Sequence, residues 1–308
     1  MTQDFNCERC LQLMPEWCDL DLKIEPLIGG ITNKLFRVQA GNGSDYVFRI
    51  YGEKTELFID RKMEMENIRL MKNSGVTPKL VKYLPEENIT IVEFIPGKVY
   101  QNDDFLQPEN LAELIRPIRR VHDSKVRLPR LFDPCVEIHR LAEILASAGP
   151  NYPEFDIAGI LTKLQRISDK AGISHDQYVP CHNDLLANNF IRVENPDQYG
   201  EKVMLIDWEY AGMNTPYYEI GDMFQEILVP RPVEENILRI YWQNHNMDKH
   251  IRLTDMFKPF PDIYWFLWSL IQLSISNIPF DYYNYGKVKY ENAQKNITAL
   301  KDLYGINI

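Results

Sequence analysis

Two acidic motifs about twenty residues apart, each at the end of a run of strand-forming residues, constrain this chain more than any other feature. The first lies in VPCHNDLLANNFIRV, where His182, Asp184 and Asn189 stand in the spacing His-x-Asp-x-x-x-x-Asn. The second is Asp207, which the apolar run Val203, Met204, Leu205, Ile206 delivers to the mouth of a strand, where a metal could sit. Taken singly, Asn-Asp and Asp-Trp are turn residues that cap strands, and a lone His-x-Asp favours that reading. Three matched positions followed by a strand and a second carboxylate favour chemistry instead. Phosphoryl transfer needs a carboxylate to orient and deprotonate an acceptor hydroxyl, an amide oxygen, and a second carboxylate to hold Mg2+ against phosphates. Asp184, Asn189 and Asp207 supply these in that order, with Asn189 and Asp207 as the metal ligands.

The spacing of the first motif is that of the kinase catalytic loop, with His-Asn-Asp for His-Arg-Asp. With it, IDWEYAGMNTPYYEIGDMFQE following CHND resembles the choline/ethanolamine kinase family, within the wider group of aminoglycoside-phosphotransferase-like kinases. The Asp-Trp-Glu-Tyr step and the Asn after Met213 are specific to the family, and the resemblance runs over roughly residues 24 to 295. It implies an α+β, bilobal protein-kinase-like fold. A small antiparallel-sheet lobe would take residues 1–95 and a mostly helical large lobe residues 96–308, with a hinge near residues 95 to 98 and ATP in the cleft.

A chain of 308 residues, 45% hydrophobic and 12% aromatic, can bury one large core or two moderate ones. Its net charge of -10 argues against a nucleic-acid or anionic-membrane partner, which calls for clustered Lys and Arg, and suits a cationic small-molecule substrate. Five cysteines and no apolar signal-peptide core at the N-terminus make a reducing cytoplasm the expectation. Cys7 and Cys10 have no second pair at zinc-ribbon spacing and read as ordinary thiols. The most apolar run, Ile263 to Ile275, is too short for a bilayer span and contains Gln272 and two serines, so no membrane insertion is expected.

Residues 1 to 22 read as helical, packing on the back of the first lobe. From Ile24 the pattern is strands, with a hairpin turn at Asn42-Gly43 between alternating apolar runs. Gly29 and Gly30, with Thr32 and Asn33, precede the first hairpin strand where a kinase needs close backbone approach to nucleotide phosphates. Arg49 falls where kinases carry the phosphate-holding lysine. A helix is expected from Leu57 to Lys72, with Met65, Ile68 and Met71 on its apolar face and Glu64 in the same arc. A glutamate facing a core needs a partner, and Arg49 is the one proposed. The family pattern Asp-Arg-x-x-Glu, met by Asp60, Arg61 and Glu64, supports Glu64 over Glu66. The resemblance also puts adenine contacts at Glu93 through Ile95, beyond which Pro96-Gly97 breaks the strand.

Residues 98 to 178 read as helices, clearest at 110–122 and 136–148; His122 reads as structural, and His139 and His175 as surface or capping residues. The chain is again helical beyond Glu226. There Trp265 and Trp268 stand at i and i+3 with Gln272 one turn on, and Tyr282 and Tyr285 follow at the same spacing. Such a stripe is more often core than ligand box. Yet a quaternary ammonium offers no hydrogen-bond donor, so only aromatic faces, apolar contacts and a nearby carboxylate can hold it. The family resemblance implies this use for Trp265, Trp268, Tyr282 and Tyr285, with Tyr210 and Glu226 also lining the acceptor pocket. Leu186 departs from the family, where a polar residue is common two places after the catalytic aspartate. The expected activity is transfer of the ATP γ-phosphate to choline. Its rivals are an ethanolamine kinase, a kinase for thiamine or an aminoglycoside, and a catalytically inactive module that binds a choline-like ligand or a protein partner, against which the intact set Asp184, Asn189, Asp207, Arg49 and Glu64 speaks.

Overall fold

The computed structural model describes residues 5–27, 33–52, 54–148 and 150–308; the Gly29, Gly30 and Thr32 expectation lies outside the described residues. Five antiparallel strands open the fold: β1 (Leu22–Leu27), β2 (Asn33–Ala40), β3 (Asp45–Tyr51), β4 (Leu80–Leu84) and β5 (Ile89–Glu93), in the order β1-β2-β3-β5-β4. The β2–β3 hairpin turns where expected, with Gly43 at φ 84°, a conformation that glycine adopts without steric cost. One face of this sheet, carrying Val38, Phe48, Ile89 and Ile91, is covered by the N-terminal segment through Cys10, Leu13, Met14 and Trp17. That segment is not helical throughout. Helix α1 (Cys7–Leu13) starts at its Asn6 cap and ends at Met14, which has left the helical region (ψ 69°) because helix is disfavoured before Pro15, and a single tight turn (Pro15–Trp17) precedes β1.

Helix α2 (Arg61–Met71) also begins later than the apolar pattern suggests. Asp60 stays extended and its carboxylate accepts the Lys62 and Met63 amides, so residues 57–60 approach the helix instead of joining it. Met65, Ile68 and Met71 do form one buried face, and Glu64 lies in it while Glu66 is exposed. The face packs against the second lobe, in a cluster with Leu114, Phe190, Leu205 and Trp208, and the Asn67 amide donates to the Ala211 carbonyl at 2.8 Å. One core therefore runs from the small lobe into the large one.

The large lobe carries helices α3 (Pro108–His122), α4 (Pro134–Ala148), α5 (Ile157–Ala171), α6 (Pro196–Tyr199), α7 (Pro216–Ile227), α8 (Arg231–Trp242), α9 (Met247–Phe257), α10 (Pro259–Ile275) and α11 (Tyr282–Tyr304). Short strands interrupt them: β6 (Gly97–Val99), β8 (Phe190–Val193) and β9 (Val203–Leu205) form one sheet, β7 (Val179–Cys181) and β10 (Gly212–Asn214) another. The stretch from 98 onward is thus not purely helical, because β6 pairs with β8 directly after the interlobe link. Helix α10 is buried on every side from Pro259 to Gln272, which explains its uninterrupted apolar run. No helix among the described residues is long and apolar enough to cross a membrane.

Candidate active site

Two residues with left-handed backbone aim the acidic motifs. Asn183, at φ 64°, turns the chain after β7, and Asp207, at φ 67°, turns it after β9. Asparagine and aspartate are among the few non-glycine residues that tolerate this region. The His182 ring links the two turns through Nε2 and the Ile206 carbonyl at 2.7 Å and packs against Trp208; burial lowers its pKa, so it stands neutral.

The catalytic loop is tied to α7 by Glu219, whose Oε1 accepts the backbone amides of His182 (2.5 Å) and Asn183 (2.8 Å). Its other oxygen meets His122 Nε2, and His122 Nδ1 meets the Tyr241 hydroxyl at 2.5 Å. His122 is accordingly structural. His139 bonds the Cys135 carbonyl of its own helix and His175 pairs with Asp133 at the surface, as their spacing suggests.

Asp184 is buried, and Asn189 Nδ2 donates to its carbonyl at 2.9 Å and to its carboxylate at 3.4 Å. Burial, then the charges of Asp222, Asp207, Glu209 and Glu226, push the Asp184 carboxyl well up. Across the cleft, Arg49 hydrogen-bonds Glu64 at 2.8 Å as expected, and Glu209 as well, and forms an ion pair with Asp207 at 2.7 Å. Arg61 reinforces the cluster: it bonds Glu64 at 2.7 Å and Glu209 at 3.0 Å and lies 3.9 Å above the Tyr51 ring. Burial alone would lower the pKa of Arg49, yet Asp207, Glu209 and Glu64 hold it well above its ordinary value. Asn33 reaches the same cluster through Glu209 and Arg61, each at 3.4 Å.

Glu209 was not singled out by sequence reasoning. Its signal was the second acid of Asp-Trp-Glu-Tyr, two residues after Asp207. Carboxylate oxygens of Glu64, Asp207 and Glu209 lie within 4.8 Å of one another, and all three donors are oxygens. Such donors fit a hard divalent cation of the Mg2+ type and not a soft one.

Behind Asp184, helices α7, α10 and α11 meet. Tyr210, Trp265, Trp268 and Tyr282 form a chain of edge-on rings with centroids 5.1, 5.8 and 5.8 Å apart. Tyr285 is joined to them through Phe280, and its hydroxyl lies 3.5 Å from Glu226. Asp222, which sequence reasoning did not single out, stands one turn before Glu226 on α7. It accepts the Trp265 indole N–H at 2.9 Å and the Leu185 amide at 3.1 Å, joining the aromatic wall to the residue after Asp184. The Trp268 indole N–H is buried with no partner among the described residues. Glu93 and Ile95 lie at the link between lobes. The Glu93 and Phe94 amides bond the Lys79 and Asp45 carbonyls, and the Ile95 side chain packs on Ile191, Val193 and Met204.

A five-stranded lobe with an Arg–Glu ion pair, a largely helical lobe bearing His-x-Asp-x-x-x-x-Asn, and a second aspartate in the cleft between them define a protein-kinase-like phosphotransferase. Residues 24–245 match the family described as choline/ethanolamine kinase. The chain belongs to that family, whose members are ATP-dependent phosphotransferases with an alcohol group as acceptor. It is 26% identical to a probable ethanolamine kinase of Arabidopsis thaliana over 94% of this chain and 84% of that one. Its fold is similar to that of choline kinase LicA from Streptococcus pneumoniae (TM-score 0.79, 22% identity, covering 95% of this chain and 98% of that one). It is similar too to that of a Plasmodium vivax ethanolamine kinase (TM-score 0.78, 22% identity, 93% and 86%).

Proposed function

We propose that this protein transfers the γ-phosphoryl group of ATP to the hydroxyl of choline, giving phosphocholine and ADP. The observation that carries the reading is the aromatic wall of Tyr210, Trp265, Trp268, Tyr282 and Tyr285, which stands with the carboxylates of Asp222 and Glu226 directly behind Asp184. A trimethylammonium group is held by such faces and by unspecific negative charge. Asp184 orients the acceptor hydroxyl and takes its proton; its raised pKa makes it a better proton acceptor than an ordinary carboxylate once ionised. Arg49, fixed by Glu64, holds nucleotide phosphates, with Asn33 beside it, and the Glu93 to Ile95 link lies along the adenine. Of its three amides, Ile95 is the one whose N–H has no partner among the described residues. Asp207 and Asn189 would hold Mg2+, with Glu209 in reach. The ion would supply positive charge against the phosphates. In this reading the nucleotide lobe is 1–95 and the catalytic and acceptor lobe 96–308.

The second reading is ethanolamine as acceptor, which the names of the matched relatives favour. A primary ammonium seeks short hydrogen bonds to oxygens, and gains less from aromatic faces. ADP release with Mg-ATP over choline, ethanolamine, thiamine and an aminoglycoside tests both: preference for choline is expected, equal or better use of ethanolamine selects the second reading, and no release with any of them refutes both.

A further inference from the structure

Behind the aromatic wall lies a buried cation that the proposed reaction does not use. Lys289, with its side chain 7% exposed, reaches Glu226 Oε1 at 2.5 Å, the Gln225 carbonyl at 3.3 Å and Asp262 at 3.7 Å, and its ammonium lies 5.6 Å from the Tyr285 ring. It stands one turn after Tyr285 on α11, so the two share a face and both meet Glu226. Its partners sit on α7 and α10, so one ammonium joins the three helices that carry Asp222, Glu226, Trp265, Trp268, Tyr282 and Tyr285.

We infer that Lys289 is the resident counter-cation of the acceptor pocket, a positioning residue that fixes Glu226 and Tyr285 and sets how strongly the pocket holds a monocationic acceptor. The inference rests on reading this site as a pocket for a small cationic alcohol. The charge pattern supports it. Asp222 and Glu226 from α7 and Asp262 from α10 face the single ammonium of Lys289, so carboxyls outnumber resident cations where a positively charged substrate would sit. Burial pushes the Asp262 carboxyl up to about 8, and the other groups facing this cluster are Tyr285 from α11 and Asp184 from the catalytic loop. Burial and Glu226 push Asp222 well up, and Lys289 opposes that rise. Burial alone would neutralise Lys289, but Glu226 and Asp262 keep it charged. Without it, carboxylates in a site closed to water take up a proton instead of remaining charged, and the pocket loses its attraction for a cation.

Lys289→Met and Lys289→Arg test this, with Lys289→Gln as a milder variant should the Met form fold poorly. At pH 7, Lys289→Met is expected to raise the acceptor KM about tenfold, equivalent to one buried polar contact, with the ATP KM within about twofold. Its acceptor KM should fall more steeply than the wild type's between pH 6 and 9 as the carboxylates ionise, and Lys289→Arg should restore most of the affinity. A purely structural lysine would lower the melting temperature with both constants and the pH profile unchanged, and that result overturns the inference; so does an Arg variant no better than Met. Titration of choline against tryptophan fluorescence, without nucleotide, separates the two readings. If the wild type turns over no amino alcohol yet binds choline about tenfold tighter than Lys289→Met, the activity is wrong and Lys289 stands. If the wild type does not bind choline either, the inference fails with it.

Discussion

The two indoles of α10 differ in one respect that makes them a controlled pair. Both are nearly buried and both belong to the aromatic wall, but Trp265 donates its N–H to Asp222 at 2.9 Å whereas that of Trp268 has no partner among the described residues. Replacing each by Phe leaves a ring and a small void of similar size, so the packing cost is common to both. Trp265→Phe additionally strands a buried carboxylate oxygen, at about 1–3 kcal/mol, while Trp268→Phe removes an N–H that was unpartnered already. The expected difference in stability is about 2 kcal/mol, or roughly 3 °C in melting temperature for a chain of this size, with Trp265→Phe the less stable. If the wall holds a quaternary ammonium, each variant also loses about half of a cation–aromatic contact worth about 2 kcal/mol, which raises the choline KM about fivefold. The assay is thermal melting with KM for choline and for ATP on both proteins. Equal melting temperatures refute the role given to Asp222; a choline KM unchanged in both variants makes the wall ordinary core.

Asp184→Asn is expected to lower turnover at least about a hundredfold with the ATP KM little changed, because a general base acts in the transition state; near-normal turnover removes Asp184 from that role. Asp207→Ala should abolish Mg2+-dependent activity and weaken Mg-ATP, and calorimetry showing unchanged Mg-ATP binding would make the carboxylate structural. The pH profile carries a sign: a base at Asp184 would work only ionised, and its pKa is raised, so kcat/KM should fall as pH drops, with a midpoint above the ordinary aspartate value of about 3.9. Asp222→Asn removes the largest of the neighbouring charges and should move that acid limb to lower pH; a limb that stays or rises counts against the coupling.

Sequence made the local features readable. Asn42-Gly43 announced its hairpin, and Asp184, Asn189 and Asp207 sit in motifs whose spacing is itself the signal. Glu64 could be chosen over Glu66 because helical periodicity decides which faces inward, and Arg49 followed as the cation a buried glutamate requires. What stayed hidden depends on chain segments far apart. Glu209 meets Arg49 from 160 residues away. Asp222, Glu219 and Lys289 look like unremarkable polar residues on amphipathic helices until Trp265, the His182 and Asn183 amides and Glu226 are seen beside them. The start of α2 was misplaced because Leu57 fits an apolar helical period, while the Asp60 cap that ends the approach is a backbone event.

Helix α7 spaces three carboxylates along its length: Glu219 grips the catalytic loop, Asp222 the first indole, and Glu226 the lysine and tyrosine of α11. At about 1.5 Å of rise per residue, the helix sets the first and last of them roughly 10 Å apart along its axis. An α-helix is stiff along its axis, so on the proposed assignment the reach from the attacking hydroxyl to the cationic end of the acceptor would be measured by a ruler that belongs wholly to the large lobe. On that assignment, whatever movement brings the nucleotide in on the small lobe would leave the gauge for acceptor length the same, and nucleotide entry and acceptor size would be read by separate parts of the molecule.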